Sequence, residues 1–205
     1  MAAQEEDRDT FALGYPIVVG ADLRDVIADY VRRRASPCLV LGDADANVSK
    51  MTRRIAAAAD CKRVLEFRLG ESRKNMATLE AVLDAMHEAA AERETLVLGV
   101  GGGVASDLFG LAAATYMRGV PYGHVATSLV AMVDAAIGGK TGVNLRAGKN
   151  LAGAFRDPVA VFCDVAALRT LPKRALREGL AEVVKAAIIQ GGEFFEGLEM
   201  LSPHP

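Results

Sequence analysis

The run Gly99-Val100-Gly101-Gly102-Gly103 follows directly on the apolar Leu96-Val97-Leu98. Glycines between a strand and a helix let backbone amides close on an anion at the helix N-terminus. The plainer reading is a tight turn that needs positive φ. Four glycines in five residues exceed what one turn needs, so the run points to a phosphate. It is not the dinucleotide fingerprint GxGxxG, because Gly101-x-Gly103 is followed by Ser106 where that motif ends in glycine.

Lys140 stands in Gly138-Gly139-Lys140-Thr141-Gly142, and Lys149 in Gly148-Lys149-Asn150. The first is similar to the end of a P-loop, but Asp134 occupies the place of its leading glycine, which excludes that motif. An ammonium in a glycine-rich loop can meet an anion, and two such turns suggest an oxyanion pocket. Taken singly, each lysine reads as a solvated loop charge. Glu182 and Lys185 are spaced i,i+3 on a predicted helix and can share a face. They are either a surface ion pair worth about 0.2–0.5 kcal/mol or a metal-binding carboxylate beside a catalytic ammonium. Spacing leaves both open. The histidines are His87, His124 and His204, and none forms an HxxxH or HxxH pair, so a complete zinc site from this chain is not expected.

The elements that must hold these groups follow from hydrophobic periodicity. Short apolar runs at 17–19, 38–41, 64–67, 96–98 and 159–163 read as strands. Between them, helical spacing links Leu23, Val26, Ile27 and Val31, then Val48, Met51 and Ile55, then Met76, Leu79, Val82 and Met86. Asp22 is placed to cap the first of these helices. The alternation predicts an α/β fold with a parallel sheet covered by helices on both faces. In such sheets ligands bind at the carboxyl ends of strands, which directs attention to the loops after residues 41, 67 and 98. A last long helix follows Pro172, with Leu176, Leu180, Val183, Val184 and Ile188 on one face. Residues 1–14 read as a polar start of low order, and a new apolar turn begins at Phe194.

Composition limits the function classes. The 205 residues are 51% hydrophobic and 24% charged, an ordinary globular balance. A formal net charge of -2 gives no broad footprint for nucleic acid, and 5% aromatics with no Trp offer few stacking platforms. No apolar stretch reaches membrane-spanning length and the start lacks a signal-peptide core, so a soluble cytoplasmic protein is expected. Cys38, Cys61 and Cys163 are far apart in sequence and are expected to act as small core residues in a reducing compartment.

Taken in order, several segments together carry a resemblance. They are Gly101-Gly102-Gly103-Val104-Ala105-Ser106-Asp107, Thr115-Tyr116-Met117-Arg118-Gly119, Thr127-Ser128 with Asp134, and Gly138-Gly139-Lys140-Thr141-Gly142-Val143-Asn144. Gly148-Lys149-Asn150, Leu171-Pro172 and Gly179-Leu180-Ala181-Glu182-Val183-Val184-Lys185 complete the series. The chain resembles the 3-dehydroquinate synthases of the sugar-phosphate cyclase family. The likeness is continuous from about Leu96 to Gly192 and reaches back to Gly70-Glu71-x-x-Lys74.

The resemblance implies a Rossmann-like NAD-binding domain over residues 15–172 and, from 173, the start of a helical domain for metal and substrate. It implies NAD contacts from Glu71, Lys74, Gly103, Val104, Ala105, Ser106, Asp107, Thr127 and Ser128. Ala167, Leu168, Arg169 and Thr170 join that set, with Asp43 or Asp45 at the adenosine ribose. Lys140, Lys149, Asn150 and Lys185 are implied around substrate and nicotinamide, with Asp134 as a substrate-pocket acid. Arg118 is implied to reach the substrate phosphate of the neighbouring subunit in a homodimer. Glu182 is implied as one ligand of a catalytic zinc or cobalt ion whose histidine partners lie outside this chain. The implied reaction closes 3-deoxy-D-arabino-heptulosonate 7-phosphate to 3-dehydroquinate with loss of phosphate, a step of aromatic amino-acid biosynthesis. Ser106, Ala126 and Leu145-Arg146 depart from the usual pattern. They keep open a cyclase for another sugar phosphate, and the missing ligands keep open a shortened NAD-binding module without catalysis. The glycine-lysine segments favour a cyclase over a metal-dependent polyol dehydrogenase.

Overall fold

A computed structural model describes residues 8–201. Seven strands form one sheet in the order β1-β2-β9-β6-β5-β3-β4. They are β1 (Arg8–Ala12), β2 (Pro16–Gly20), β3 (Cys38–Asp43), β4 (Arg63–Phe67), β5 (Leu96–Gly101), β6 (Tyr122–Ala126) and β9 (Ala160–Asp164). All pairings are parallel except that of β1 with β2. The connecting helices are α1 (Arg24–Arg34), α2 (Ala46–Ala58), α3 (Met76–Glu88) and α4 (Gly103–Thr115). Two further helices, α5 (Lys173–Gln190) and α6 (Gly192–Leu201), follow the sheet.

The apolar runs are buried on both faces, as a covered parallel sheet requires. Within them the strand period of two divides the core. Leu39, Leu41 and Val97 face a cluster with Leu79, Val82 and Met86 of α3 and Leu108 and Phe109 of α4. Val40, Leu96, Leu98 and Val100 face the opposite cluster, with Ile27 and Val31 of α1 and Ile55 of α2. The chain leaves β3 toward β4 at one edge, and leaves β5 toward β6 in the other direction. The carboxyl ends of β3 and β5 therefore flank a topological switch point, the place where sheets of this kind bind ligands.

Three features differ from the expectations. The start read as of low order contains β1, which pairs through its backbone with β2. Edge pairing does not require apolar side chains, so a polar composition conceals it. Residues 1–7 and His204 lie outside the described residues. Asp22 does not cap α1: it has φ 54° and its amide donates to Asp164 Oδ1 at 2.9 Å. The Leu23 amide donates to the same carboxylate, so the acceptor comes from the end of β9, which runs beside β2. Finally, the glycine-rich stretch after β6 forms a π-helical turn (Ala131–Ala135) and an antiparallel hairpin of β7 (Lys140–Leu145) and β8 (Gly148–Phe155).

That hairpin lies over α4, which is why the helix is buried along both sides. Gly110 makes the contact close: a Cβ there would fall 2.6 Å from Thr141 Cγ2. The hairpin thus runs from the π-helical turn across α4 to the loop ahead of α3, where Asn144 N donates to Lys74 O at 2.8 Å.

Candidate functional site

The glycine run becomes the last residues of β5 and the first turn of α4. Gly102 precedes the helix and no side chain caps it. Ser106 N closes the first helical turn on Gly102 O at 3.0 Å. The preceding amides of Gly103, Val104 and Ala105 belong to the turn that lacks intrahelical acceptors, which suits them to an anion. Side chains would fill this cradle. A Cβ on Gly101 would lie 2.4 Å from Ala105 Cβ, and one on Gly102 would lie 3.0 Å from Ser128 Oγ.

The neighbouring strand ends supply the rest of the rim. Thr127, just past β6, is buried and its amide donates to Gly101 O at 2.9 Å. Past β9, a 3-10 turn (Val165–Thr170) carries Ala167, Leu168, Arg169 and Thr170. Asp164 Oδ1 accepts from Ala166 N at 3.1 Å and fixes its start. The two aspartates after β3 separate clearly. Asp45 caps α2, accepting from Asn47 N and Val48 N. Asp43 ends β3 beside the cradle, with its Cβ 3.7 Å from where a Gly101 Cβ would stand. Of the two, Asp43 is the one beside the cradle, and its Oδ1 accepts from Asp45 N at 3.2 Å and Leu69 N at 3.4 Å.

A second group gathers beside α4. Lys74 is 4% exposed. Its ammonium pairs with the Asp107 carboxylate and donates to Asn150 Oδ1 at 2.6 Å. Burial pushes the Asp107 carboxyl up, against the downward pull of Lys74, and the negative charges of Asp134 and Glu71 add to the rise. Asn150 sits at φ 54°, a left-handed conformation that asparagine tolerates better than most residues. Asn144 organises this group and was given no role from sequence. Its Oδ1 accepts from Asn150 N at 2.9 Å and its Nδ2 donates to Glu71 Oε1 at 2.9 Å. That bond is the main reason the Glu71 carboxyl is held below its usual range. Lys149 Nζ approaches Glu71 Oε1 at 3.5 Å. The only sequence signal for Asn144 was its place at the end of the glycine-lysine segment.

The third group joins the π-helical turn, β7 and α5. Lys140 Nζ lies 3.1 Å from Asp134 Oδ1, and Lys185 Nζ lies 3.8 Å from the same oxygen. Lys185 also pairs with Glu182, which raises the lysine pKa. Gly179 lets α5 approach, since a Cβ there would fall 2.5 Å from Leu129 Cβ. Two ammonium groups from separate elements thus share one carboxylate oxygen on an accessible surface, an arrangement that can receive a second anion.

Arg118 lies away from the cradle. It follows the far end of α4, in a turn where Met117 and Arg118 have φ 50° and 65°. This turn leads into the start of β6, at the edge of the sheet opposite the cradle.

Fit to a cofactor and to a metal differs. The uncapped glycine cradle at the switch point fits a phosphate-bearing dinucleotide. For a metal, Glu182 Oε2 is shielded from solvent and takes no hydrogen bond beyond its ion pair with Lys185. No group of three or more His, Cys, Asp or Glu side chains suited to a metal occurs among the described residues. The described residues therefore offer one carboxylate ligand and do not by themselves make a metal site.

Known proteins are similar to this chain in sequence and in fold. A 3-dehydroquinate synthase from Nitrosospira multiformis is 40% identical over 190 residues, covering 91% of this chain and 52% of its own length. The fold matches 2-epi-5-epi-valiolone synthase from Streptomyces hygroscopicus subsp. jinggangensis 5008, solved with NAD+ and Zn2+ bound. That match has TM-score 0.72 and 35% identity, over 85% of this chain and 49% of that one. It also matches 2-deoxy-scyllo-inosose synthase complexed with carbaglucose-6-phosphate, NAD+ and Co2+, with TM-score 0.78 and 26% identity, over 87% of this chain and 50% of that one. The chain spans 37% to 52% of the length of the curated relatives it matches. Residues 64–178, more than half of the chain, match the family described as 3-dehydroquinate synthase N-terminal. The glycine cradle, the Lys74 group and Asp134 and Lys140 of the lysine cluster fall within that match, and the chain belongs to the 3-dehydroquinate synthase family, of which it carries the N-terminal portion.

Proposed function

We propose that this chain is the NAD-binding half of a 3-dehydroquinate synthase, a lyase that closes 3-deoxy-D-arabino-heptulosonate 7-phosphate to 3-dehydroquinate and releases phosphate. The observation that carries this reading is the convergence of Lys140 and Lys185 on Asp134, in a chain whose sheet also ends in an uncapped glycine cradle. A cradle alone fits any dinucleotide protein. The added pair of ammonium groups suits a substrate with several anionic oxygens.

NAD supplies reversible hydride transfer when bound, and a divalent metal supplies Lewis acidity. The chain's own residues have separate tasks. Amides of Gly103, Val104 and Ala105 receive the cofactor diphosphate, and Asp43 faces its ribose. Ser106, Thr127, Ser128 and the turn from Ala167 to Thr170 line its path. Lys74 holds Asp107 and Asn150 in fixed positions, and Asn144 holds Glu71 and Asn150. Lys140, Lys149 and Lys185 offset charge on the substrate and on the departing phosphate. Asp134 fixes two of these ammonium groups until the substrate's own oxygens compete for them. Glu182 is one metal ligand, and further ligands must come from outside the described residues.

A homodimer belongs to this reading, because the resemblance implies that Arg118 reaches the substrate phosphate of a second chain. Location in the cytoplasm belongs to it as well. Among the described residues no helix is long and apolar enough to cross a membrane.

Calorimetric titration with NAD tests the first half of the proposal. Saturable binding is expected, and Gly102→Val abolishes it by filling the cradle. A folded protein that takes up no NAD would overturn the cofactor assignment. A chimera of this chain with the C-terminal half of a curated relative tests the second half. It should release phosphate from the heptulosonate phosphate. Release from a hexose 6-phosphate instead would move the chain to another branch of the cyclases.

A further inference from the structure

Cys38 opens β3, and Cys61 lies just ahead of β4. Sequence gives no hint of a relation between them, since 22 residues intervene. The parallel register pairs Leu39 with Arg63, which sets Cys38 beside Lys62, the residue after Cys61. A strand spacing of about 4.8 Å and one residue of offset put the two Cα atoms roughly 6 Å apart. That lies inside the range of about 4.4–6.8 Å that a disulfide spans. The Cys61 thiol donates to Cys38 O at 2.9 Å. Both side chains turn to the same face of the sheet, the one that packs against α1 and α2.

Cys61 is buried in that cluster and Cys38 is packed against it, as expected of small core residues. Both line an open cavity of about 300 Å³ at the amino-terminal edge of the sheet, opposite the cradle. Its rim carries Arg32 from α1, which is paired with Asp29, Lys62 just ahead of β4 and Arg63 at its start, with Asp60 as a further opposing charge. The Arg63 guanidinium donates to Ala90 O at 2.8 Å, and Arg32 donates to Ala58 O at 2.6 Å, so both are held at the cavity wall. The Cys38 thiol beside it and Arg63 hold the Cys61 thiol below its usual range, while Cys61 and burial push the Cys38 thiol up. Two neighbouring thiols on one cavity wall beside cationic side chains are the arrangement that dithiol exchange uses.

We infer that Cys38 and Cys61 form a reactive dithiol, a modification site that exchanges with small anionic disulfides and closes to an internal disulfide. The Cys61 thiolate attacks one sulfur of the incoming disulfide, forming a mixed disulfide and expelling one thiolate, which takes up a proton. Cys38 then loses its proton and attacks Cys61 Sγ, expelling the second thiolate. Two protein thiols are oxidised and one external disulfide is reduced to two thiols. The inference does not depend on the proposed catalytic activity.

The test treats the folded 205-residue protein with oxidised glutathione, then counts free thiols after denaturation and maps peptides by mass spectrometry. Cys38 and Cys61 should be found linked, with only Cys163 free. Cys163 is the internal control: it is buried, and burial pushes its thiol up to about 11. Cys38→Ser should arrest the reaction with one glutathione on Cys61, and Cys61→Ser should leave Cys38 reduced. In untreated protein, iodoacetamide should label Cys61 more than about tenfold faster than Cys163. Three free thiols after treatment, glutathione on Cys163 at a comparable rate, or disulfides only between chains would each overturn the inference. The alkylation arm uses the unsubstituted protein, so a serine variant that fails to fold does not remove the test.

Discussion

The Lys74 ammonium and the Asp107 carboxylate form an ion pair inside the fold, with side chains 5% and 20% exposed. The pair ties the loop ahead of α3 to the second turn of α4. Lys74→Met removes the ammonium and leaves a buried carboxylate, and breaking such a pair costs about 3 kcal/mol. Urea unfolding should show this loss. Asp107→Asn in the same background should recover part of it, because the buried charge is then absent. A double variant no more stable than Lys74→Met alone would mean that the ion pair is not the source of the loss.

The contact of Gly110 with Thr141 fixes how closely β7 approaches α4. A Cβ at position 110 meets Thr141 Cγ2 at 2.6 Å, closer than real carbon atoms approach. In a solvated helix, Gly→Ala stabilises. Here Gly110→Ala should destabilise by about 1–3 kcal/mol, the usual cost of overpacking. The clash is with one methyl group, so Thr141→Ser should restore most of the loss. Thermal melts of the two single variants and the double variant decide this. Additive losses would place the strain elsewhere.

The hairpin that makes this contact was hard to read from sequence, and the reason is physical. Its residues Gly138, Gly139, Gly142, Gly148 and Gly153 interrupt any alternation, and most of β8 is not buried, so the hydrophobic pattern that reveals β3 and β5 is missing. By contrast, Leu39–Leu41 and Leu96–Leu98 are apolar without interruption because helices cover both faces of their sheet. The cradle was legible for a similar reason: glycines between a strand and a helix have few alternative uses. The choice between Asp43 and Asp45 was not legible. It depends on which carboxylate caps α2, and that is set by where the helix starts. The nearness of Cys38 to Cys61 was also hidden, because it arises from a register between strands that no local pattern records.

His124 gives a pH dependence with a definite sign. It lies in the middle of β6, is 3% exposed, and meets Tyr122 edge to face at 5.2 Å between ring centres. Burial lowers its pKa to about 4. The folded state therefore keeps the imidazole neutral, while the unfolded chain takes up a proton near pH 6.5. Stability is full above that pH and falls as pH drops from about 6.5 to about 4. The loss is roughly 3 kcal/mol once both states are protonated. His124→Phe removes this component. The difference in unfolding free energy between the two proteins should change across that window and be flat above pH 7. A constant difference from pH 8 to pH 4 would show that the histidine takes up its proton as readily in the fold as in the unfolded chain.

Asp164 is a further buried polar residue whose removal should be costly, and the cost here lies in backbone amides. Its carboxylate accepts from Asp22 N at 2.9 Å, Leu23 N at 3.2 Å and Ala166 N at 3.1 Å. One side chain thereby closes the entry to α1 and starts the 3-10 turn that carries Ala167 to Thr170. Asp164→Ala leaves three amides without this acceptor, and each costs about 1–3 kcal/mol where water cannot replace it. The Asp22 amide is only partly buried, so the sum should fall toward the lower end, about 3 kcal/mol. Asp164→Asn keeps one acceptor oxygen and should lose less. Two consequences separate this from a general loss of packing. Amide hydrogen exchange should speed up at Leu23 and Ala166 while β5 stays protected, and NAD affinity should fall, because the 3-10 turn lies on the rim of the proposed site. Unchanged exchange at Leu23 and Ala166 in Asp164→Ala would mean that other acceptors or water hold these amides.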